Sequence, residues 1–220
     1  LGAQVNVVGT VNVFEAAAQT AGQVAGLVYA SSIAAYDSTE DPSDGPPGEL
    51  SGWPSTLYGA YKRANEATAQ VYWADRGLAS IGLRPHTVYG AGRDQGLTSQ
   101  PTAAMAAAAR GEGFHIGFGG WLSMQYAADV AHDFIAAARA VREGAPVVNL
   151  QGAVVNVKDV VAGIVAAAPE VAGQITFDDV QLPFPSDLPL DVTAFDAAPR
   201  TSLIDGIRST VDHFRSAGRQ

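Results

Sequence analysis

Two short apolar runs on either side of one helical pattern constrain this chain more than anything else in it. Gly26-Leu27-Val28-Tyr29-Ala30-Ser31-Ser32 reads as the buried end of a strand over residues 24–31, closing on two hydroxyls. Residues 80–84, Ser-Ile-Gly-Leu-Arg, read as a second, parallel strand that Pro85 ends. Between them, residues 55–76 follow a helical pattern that stops near Gly77, as helices commonly do at glycine. Parallel strands joined through a helix make the fold class α/β.

That helix carries Tyr58 and Lys62 in Leu57-Tyr58-Gly59-Ala60-Tyr61-Lys62. A separation of four residues is one helical turn, so phenol and ammonium stand on the same face. A nearby ammonium favours phenolate over phenol and draws the tyrosine pKa down from about 10 toward working pH. Tyr58 is therefore a candidate general acid/base for interconverting a hydroxyl and a carbonyl. The same spacing also arises on ordinary solvated helices, so context has to decide.

The context is a set of ordered blocks. Upstream stands Asn6-Val7-Val8-Gly9-Thr10-Val11-Asn12-Val13-Phe14-Glu15-Ala16, an amphipathic helix, followed by the strand ending at Ser31-Ser32. Downstream come Leu83-Arg84-Pro85-His86-Thr87-Val88-Tyr89-Gly90-Ala91-Gly92-Arg93, then Gln125-Tyr126-Ala127-Ala128-Asp129-Val130-Ala131, then the tail Thr201-Ser202-Leu203-Ile204-Asp205-Gly206-Ile207-Arg208. In this order and spacing the blocks resemble the extended short-chain dehydrogenase/reductase family, the NAD-dependent epimerases and dehydratases. The resemblance covers nearly the whole chain.

It implies a partial Rossmann-type doubly wound parallel sheet with a small C-terminal substrate lobe. Residues 1–90 would be the C-terminal part of the cofactor domain and carry the catalytic residues. Residues 91–220 would complete the sheet and form the substrate-binding lobe. Ser32, in Ser32-Ile33-Ala34-Ala35-Tyr36, matches the family's strand-end hydroxyl better than Ser31. Ser32, Tyr58 and Lys62 are then the catalytic set, with Lys62 also holding the nicotinamide ribose hydroxyls. Asn6 stands where the family's helix asparagine supports the cofactor or a proton-relay water; it reads equally as a helix-entry residue. Pro85 falls where local backbone meets the nicotinamide carboxamide, and equally where a strand simply ends. Ser32, Thr87 and Arg93 are the candidate substrate contacts, Arg93 as partner for a phosphate or a carboxylate. The implied cofactor is NAD or NADP, and the implied assembly is a homodimer.

Departures from the family pattern narrow the substrate. Relatives that dehydrate sugars carry Asp-Glu directly after the strand-end hydroxyl, where this chain has Ile33 and Ala34. Nucleotide-sugar relatives usually place an asparagine where Thr87 stands and an arginine where Leu122 stands. Losing two phosphate contacts, one of them a bidentate guanidinium, weakens a nucleotide-sugar assignment but leaves a sugar-like carbinol or carbonyl. The alternative is a non-catalytic descendant that binds a ligand or partner; retention of Ser32, Tyr58 and Lys62 argues against it.

Composition excludes other classes. A net charge of −9 disfavours a nucleic-acid or anionic-membrane surface. With no cysteine there is neither disulfide nor thiolate chemistry, which is compatible with a cytoplasmic location. No apolar run approaches the roughly 20 residues that span a bilayer. His86, His115, His132 and His213 lack ligand spacing, so no metal site is expected.

Along the rest of the chain, residues 3–21 read as a helix, with Val7, Val11, Phe14 and Ala18 at helical spacing. Residues 37–56, rich in Pro, Gly, Ser and acids, read as a loop. Past Gly90 the pattern gives helices over 98–110 and 128–142 and strands over 114–116, 122–126 and 147–150. Asn156 reads as the N-cap of a helix over 157–167, Thr201 or Ser202 as the cap of a final helix to about residue 216, and Asp129 as a first-turn charge or cap.

The sequence contains no G-x-x-G-x-x-G after a strand, the usual pyrophosphate cradle. By the resemblance, the cradle lies in βα units ahead of the helix that begins here, and the chain reads as an N-terminally truncated piece. The strand ending at Ser31 would then be an open apolar edge, which invites aggregation. Each lost large apolar contact costs roughly 1.5–3 kcal/mol, against about 5–15 kcal/mol for a whole domain. The isolated 220 residues are therefore expected to be poorly soluble or molten, with no NAD(H) binding. A sharp thermal transition that moves upward with added NADH would contradict this.

Overall fold

The computed structural model describes residues 1–20, 22–36, 53–150, 152–183, 195 and 199–218. The loop expected over 37–56 lies outside the described residues as far as residue 52. The chain divides into two units, one drawn from Leu1–Pro85 and His132–Leu150, the other from His86–Ala131, Gln151–Leu182 and Pro199–Gln220.

In the first unit, strands β1 (Leu27–Ala30), β2 (Ser80–Arg84) and β6 (Val147–Asn149) form a parallel sheet in the order β1-β2-β6. Leu27 pairs with Ser80, and Arg84 with Asn149. Among the described residues β1 is paired on one side only. Helix α1 (Gly9–Gln19) packs on helix α2 (Leu57–Arg76), which lies beside β2, and the part of α4 (Ala127–Ala140) from His132 onward belongs to the same unit. Phe14 is the centre of the core: its ring lies 5.7 Å from Tyr29 and 5.3 Å from Tyr72, with Ala17, Ala69 and Leu78 around it. The ends of α2 are set by local chemistry. Thr56 Oγ1 accepts the Gly59 N–H at 3.0 Å, and Gly77 at φ 63° provides the left-handed exit.

In the second unit, β3 (Thr87–Tyr89), β5 (Trp121–Tyr126) and β7 (Ala153–Asn156) form a mixed sheet, β3 parallel and β7 antiparallel to β5. Strands β4 (Phe114–Ile116) and β8 (Ile175–Phe177) pair separately. Helices α3 (Gln100–Ala109), α5 (Val157–Ala167) and α6 (Leu203–Ala217) bury Met105, Val160, Ile164, Ile207 and Val211. Asn156 caps α5 through a reciprocal pair: its Oδ1 accepts the Lys158 N–H at 3.1 Å, and Asp159 Oδ2 accepts the Asn156 N–H at 3.2 Å. Ser202, not Thr201, caps α6. Thr201 instead donates backbone N–H and hydroxyl to the Asp129 carboxylate, at 2.7 and 2.9 Å.

The parallel α/β architecture matches the expectation; several boundaries do not. The first strand is shorter than residues 24–31 because its ladder runs only as far as its partner, Leu27 to Ala30. The first helix opens with a π-turn over Gln4–Val8, closed by the Gly9 N–H on Gln4 O, before α geometry begins. Pro85 does end β2, at Arg84, but after His86 the backbone resumes as β3 in a different sheet. Strands β7 and β8 were not legible, being four and three residues long.

Burial pushes the phenols of Tyr29 and Tyr89 well above their ordinary pKa near 10, with nearby Glu66 adding for Tyr29 and Asp129 for Tyr89. The folded chain keeps these protons where the unfolded chain releases them. Stability is thus full below about pH 10 and falls as pH rises above it. Urea midpoints measured across that range should decline, and Tyr89→Phe should flatten the decline. A midpoint independent of pH there would show that these phenols are not held neutral.

Candidate active site

The carboxyl end of β1 is where the sequence candidates meet. Ser31 N–H donates to Leu83 O at 2.7 Å, completing the ladder. Ser32 is extended (φ −162°, ψ 152°), and its Oγ accepts the Ala34 N–H at 3.2 Å, capping a 3₁₀ turn over Ile33–Ala35. Ile33 N–H donates to Pro85 O at 3.2 Å, so the residue that ends β2 also holds the turn that follows β1.

Helix α2 starts hard against this turn. A Cβ on Gly59 would lie 1.9 Å from Ala34 O, so only glycine allows the approach. One residue earlier, Tyr58 keeps 47% of its surface exposed. One turn later, Lys62 Nζ donates to Ala30 O at 2.9 Å and stands 5.4 Å from the Tyr58 ring centroid. Burial holds the Lys62 pKa below the ordinary lysine value. Its ammonium has three N–H donors, so the bond to Ala30 leaves capacity for two further acceptors.

Ser31 is engaged otherwise. Its hydroxyl donates to Glu66 Oε1, and that carboxylate also receives Arg84 Nε at 2.7 Å and Nη2 at 2.8 Å. Arg84 Nη1 continues to Asn149 Oδ1 at 3.3 Å. The Arg84 and Arg63 guanidinium carbons lie 4.4 and 4.8 Å from the Tyr36 ring centroid. Sequence reasoning missed this network. The available signal was Glu66 four residues beyond Lys62, an acid on the same helix face as the Tyr58–Lys62 pair.

The first unit thus brings Ser32, Tyr58, Lys62 and Pro85 to the ends of β1 and β2. Asn6 lies in the π-turn of the same unit, its Nδ2 donating to Gly2 O at 3.1 Å. Asn6 O accepts the Thr10 hydroxyl at 2.7 Å. Thr87 and Arg93 belong to the second unit. Thr87 is fully buried, with its hydroxyl 3.0 Å from His86 Nδ1. Arg93 braces its own turn, donating to Gln95 O and, at 3.0 Å, to Thr98 Oγ1. Leu122 is fully buried in β5. Among the described residues no three His, Cys, Asp or Glu side chains gather as a metal site.

Solved structures of the same architecture are similar over nearly the whole chain. UDP-glucose 4-epimerase from Thermus thermophilus, in complex with NAD, is 28% identical with a TM-score of 0.72, covering 98% of this chain and 71% of its own. A partial-consensus L-threonine 3-dehydrogenase is 22% identical with a TM-score of 0.80, over 96% of this chain and 72% of its own. Bacillus anthracis dTDP-glucose 4,6-dehydratase, in complex with NAD, is 19% identical with a TM-score of 0.76, over 97% and 68%. Comparison with the curated proteins finds no match. The family model described as "NAD dependent epimerase/dehydratase family" matches residues 2–178, and the chain belongs to that family.

Proposed function

We propose that this chain carries the proton-transfer half of an NAD(P)-dependent oxidoreductase or epimerase acting on a carbinol or carbonyl of a sugar or sugar-like substrate. The observation that carries the reading is Lys62: its ammonium is anchored on Ala30 O at 2.9 Å, 5.4 Å from the Tyr58 ring, beside the strand end where Ser32 sits. Tyr58, exposed on that face, takes or returns the substrate hydroxyl proton. Ser32 orients the same oxygen through its hydroxyl. Lys62 spends its remaining N–H donors on the vicinal hydroxyls of the nicotinamide ribose, and the Pro85 backbone borders the carboxamide. Asn6, in the π-turn, supports the cofactor side. NAD or NADP, when bound, supplies the hydride acceptor and donor at nicotinamide C4. The donor set fits the nicotinamide–ribose end of the cofactor: a cation that, among the described residues, commits one of its three N–H groups, to Ala30 O, beside an exposed phenol.

The substrate narrows by what is absent from the expected positions. Ile33 and Ala34 are buried in the 3₁₀ turn and offer no acid for expelling hydroxide, so the reading excludes a 4,6-dehydration. Thr87 and Leu122 have no exposed surface with which to meet a diphosphate. This supports a smaller sugar-like carbinol. No helix among the described residues is long and apolar enough to cross a membrane.

Tyr58→Phe in the intact protein should lower turnover by on the order of 10²–10⁴, the usual contribution of a general acid/base, with little effect on cofactor affinity. Near-wild-type turnover with any substrate the enzyme accepts would remove Tyr58 from the role.

The assembly in this reading is a homodimer, with α1 and α2 pairing with their copies as a four-helix bundle. The small residues Ala16, Ala17, Ala64 and Ala67 on those helices would allow close approach, though Ala17 packs into the Phe14 core. Ala16 and Ala67 are exposed, and Val5, Val8, Val11 and Val13 present uncovered apolar surface along the first helix. Light scattering of the intact protein at micromolar concentration should give twice the protomer mass; a monomer would refute the bundle.

A further inference from the structure

The buried network of Ser31, Glu66, Arg84 and Asn149 has no part in the chemistry above, yet it touches every element that carries that chemistry. Lys62 and Glu66, one turn apart on α2, grip consecutive residues of β1: the Ala30 carbonyl and the Ser31 hydroxyl. Arg84 ends β2 immediately before Pro85, whose carbonyl holds Ile33. From that position its guanidinium forks onto Glu66, reaches Asn149 on β6, and lies against the ring of Tyr36. The Ser32 turn is therefore held at its start through Ser31 and at its end through Tyr36, by the same ion pair.

A buried ion pair is seldom more stabilising than well-packed apolar residues of the same volume. What a bidentate fork adds is a fixed distance and a fixed angle between the elements it joins. We propose that Glu66 and Arg84 are positioning residues: the pair sets the Ser32 turn against the helix face that presents Tyr58 and Lys62. It acts through those three residues, and the inference rests on the reading of them as the catalytic set.

The test uses two variants of the intact protein, Glu66→Gln and the double Glu66→Gln/Arg84→Met. The first keeps the shape and an acceptor for Ser31 but removes the charge; the second removes both charges, so a fold lost only to an unpaired Arg84 is regained. Backbone hydrogen exchange is followed at Ile33 and Ala34, whose N–H groups bind Pro85 O and Ser32 Oγ, and in α6 as a reference. In both variants exchange at Ile33 and Ala34 should accelerate by about tenfold or more while α6 keeps its protection. Turnover should fall by on the order of tenfold or more, as misplacement of reacting groups costs, with KM and NADH affinity unchanged. Wild-type exchange at Ile33 and Ala34 in either variant would overturn the inference. So would recovery of full turnover in the double variant, or acceleration spread equally through α6, since either leaves the pair a structural role alone. Exchange does not depend on catalysis: if Tyr58→Phe left turnover intact, the catalytic reading would fall while the clamp would still be decided by Ile33 and Ala34.

Discussion

The structure of the first unit hangs on one carboxylate. Glu66 and Arg84 keep only 8% and 10% of their side-chain surfaces exposed, and each is buried at a cost that the other largely offsets, with Ser31 on Glu66 and Asn149 and Tyr36 on Arg84. Removing one member of such a pair typically costs about 3–5 kcal/mol, because the remaining charge is stranded. Glu66 enters the core because α2 crosses the ends of β1 and β2, and Arg84 arrives because β2 ends there. Helix, both strands and β6 through Asn149 are joined at one point. Apolar contacts would bring these elements together without fixing their register.

The core beneath that point is built differently. Phe14, Tyr29 and Tyr72 meet through tilted and edge contacts, which tolerate small shifts, and Tyr72 reaches out of the cluster to Glu15 at 2.9 Å. The first unit thus combines an aromatic cluster at the α1 side with an ionic fork at the carboxyl ends of β1 and β2. In the second unit the corresponding anchor is Asp129, which takes both the backbone and the hydroxyl of Thr201 and so ties the start of α4 to the approach of α6. Reading Asp129 as a local helix-terminus charge caught its position but not this longer reach.

Helix ends were the most legible part of the fold, because caps are local: Gly77 ends α2, Asn156 starts α5, and Ser202, one of two candidates, starts α6. Strand β2 was legible because five consecutive residues are buried between β1 and β6. Strands β3, β7 and β8 are too short to show a period, and they exist because a partner strand supplies their hydrogen bonds. The π-turn at Gln4–Val8 was hidden for a related reason, since one extra residue per turn leaves no mark in composition. At the candidate site the preference for Ser32 over Ser31 rested on the family resemblance, while the closeness of Tyr58 and Lys62 was legible from spacing. The separate use of Ser31 was not, since Glu66 and Arg84 lie 18 residues apart and only the fold makes them neighbours.

Gly59 has a consequence for anyone wishing to make this protein more robust. A glycine inside a helix ordinarily weakens it by about 1 kcal/mol relative to alanine, so stabilisation campaigns replace such residues first. Here the added methyl would collide with the Ala34 carbonyl at 1.9 Å, where no side chain can swing aside. The helix would gain in intrinsic propensity while its first turn was driven off the Ser32 loop. Position 59 is therefore a place where helix propensity and tertiary packing pull in opposite directions, and a design rule based on helix propensity alone would select the wrong residue.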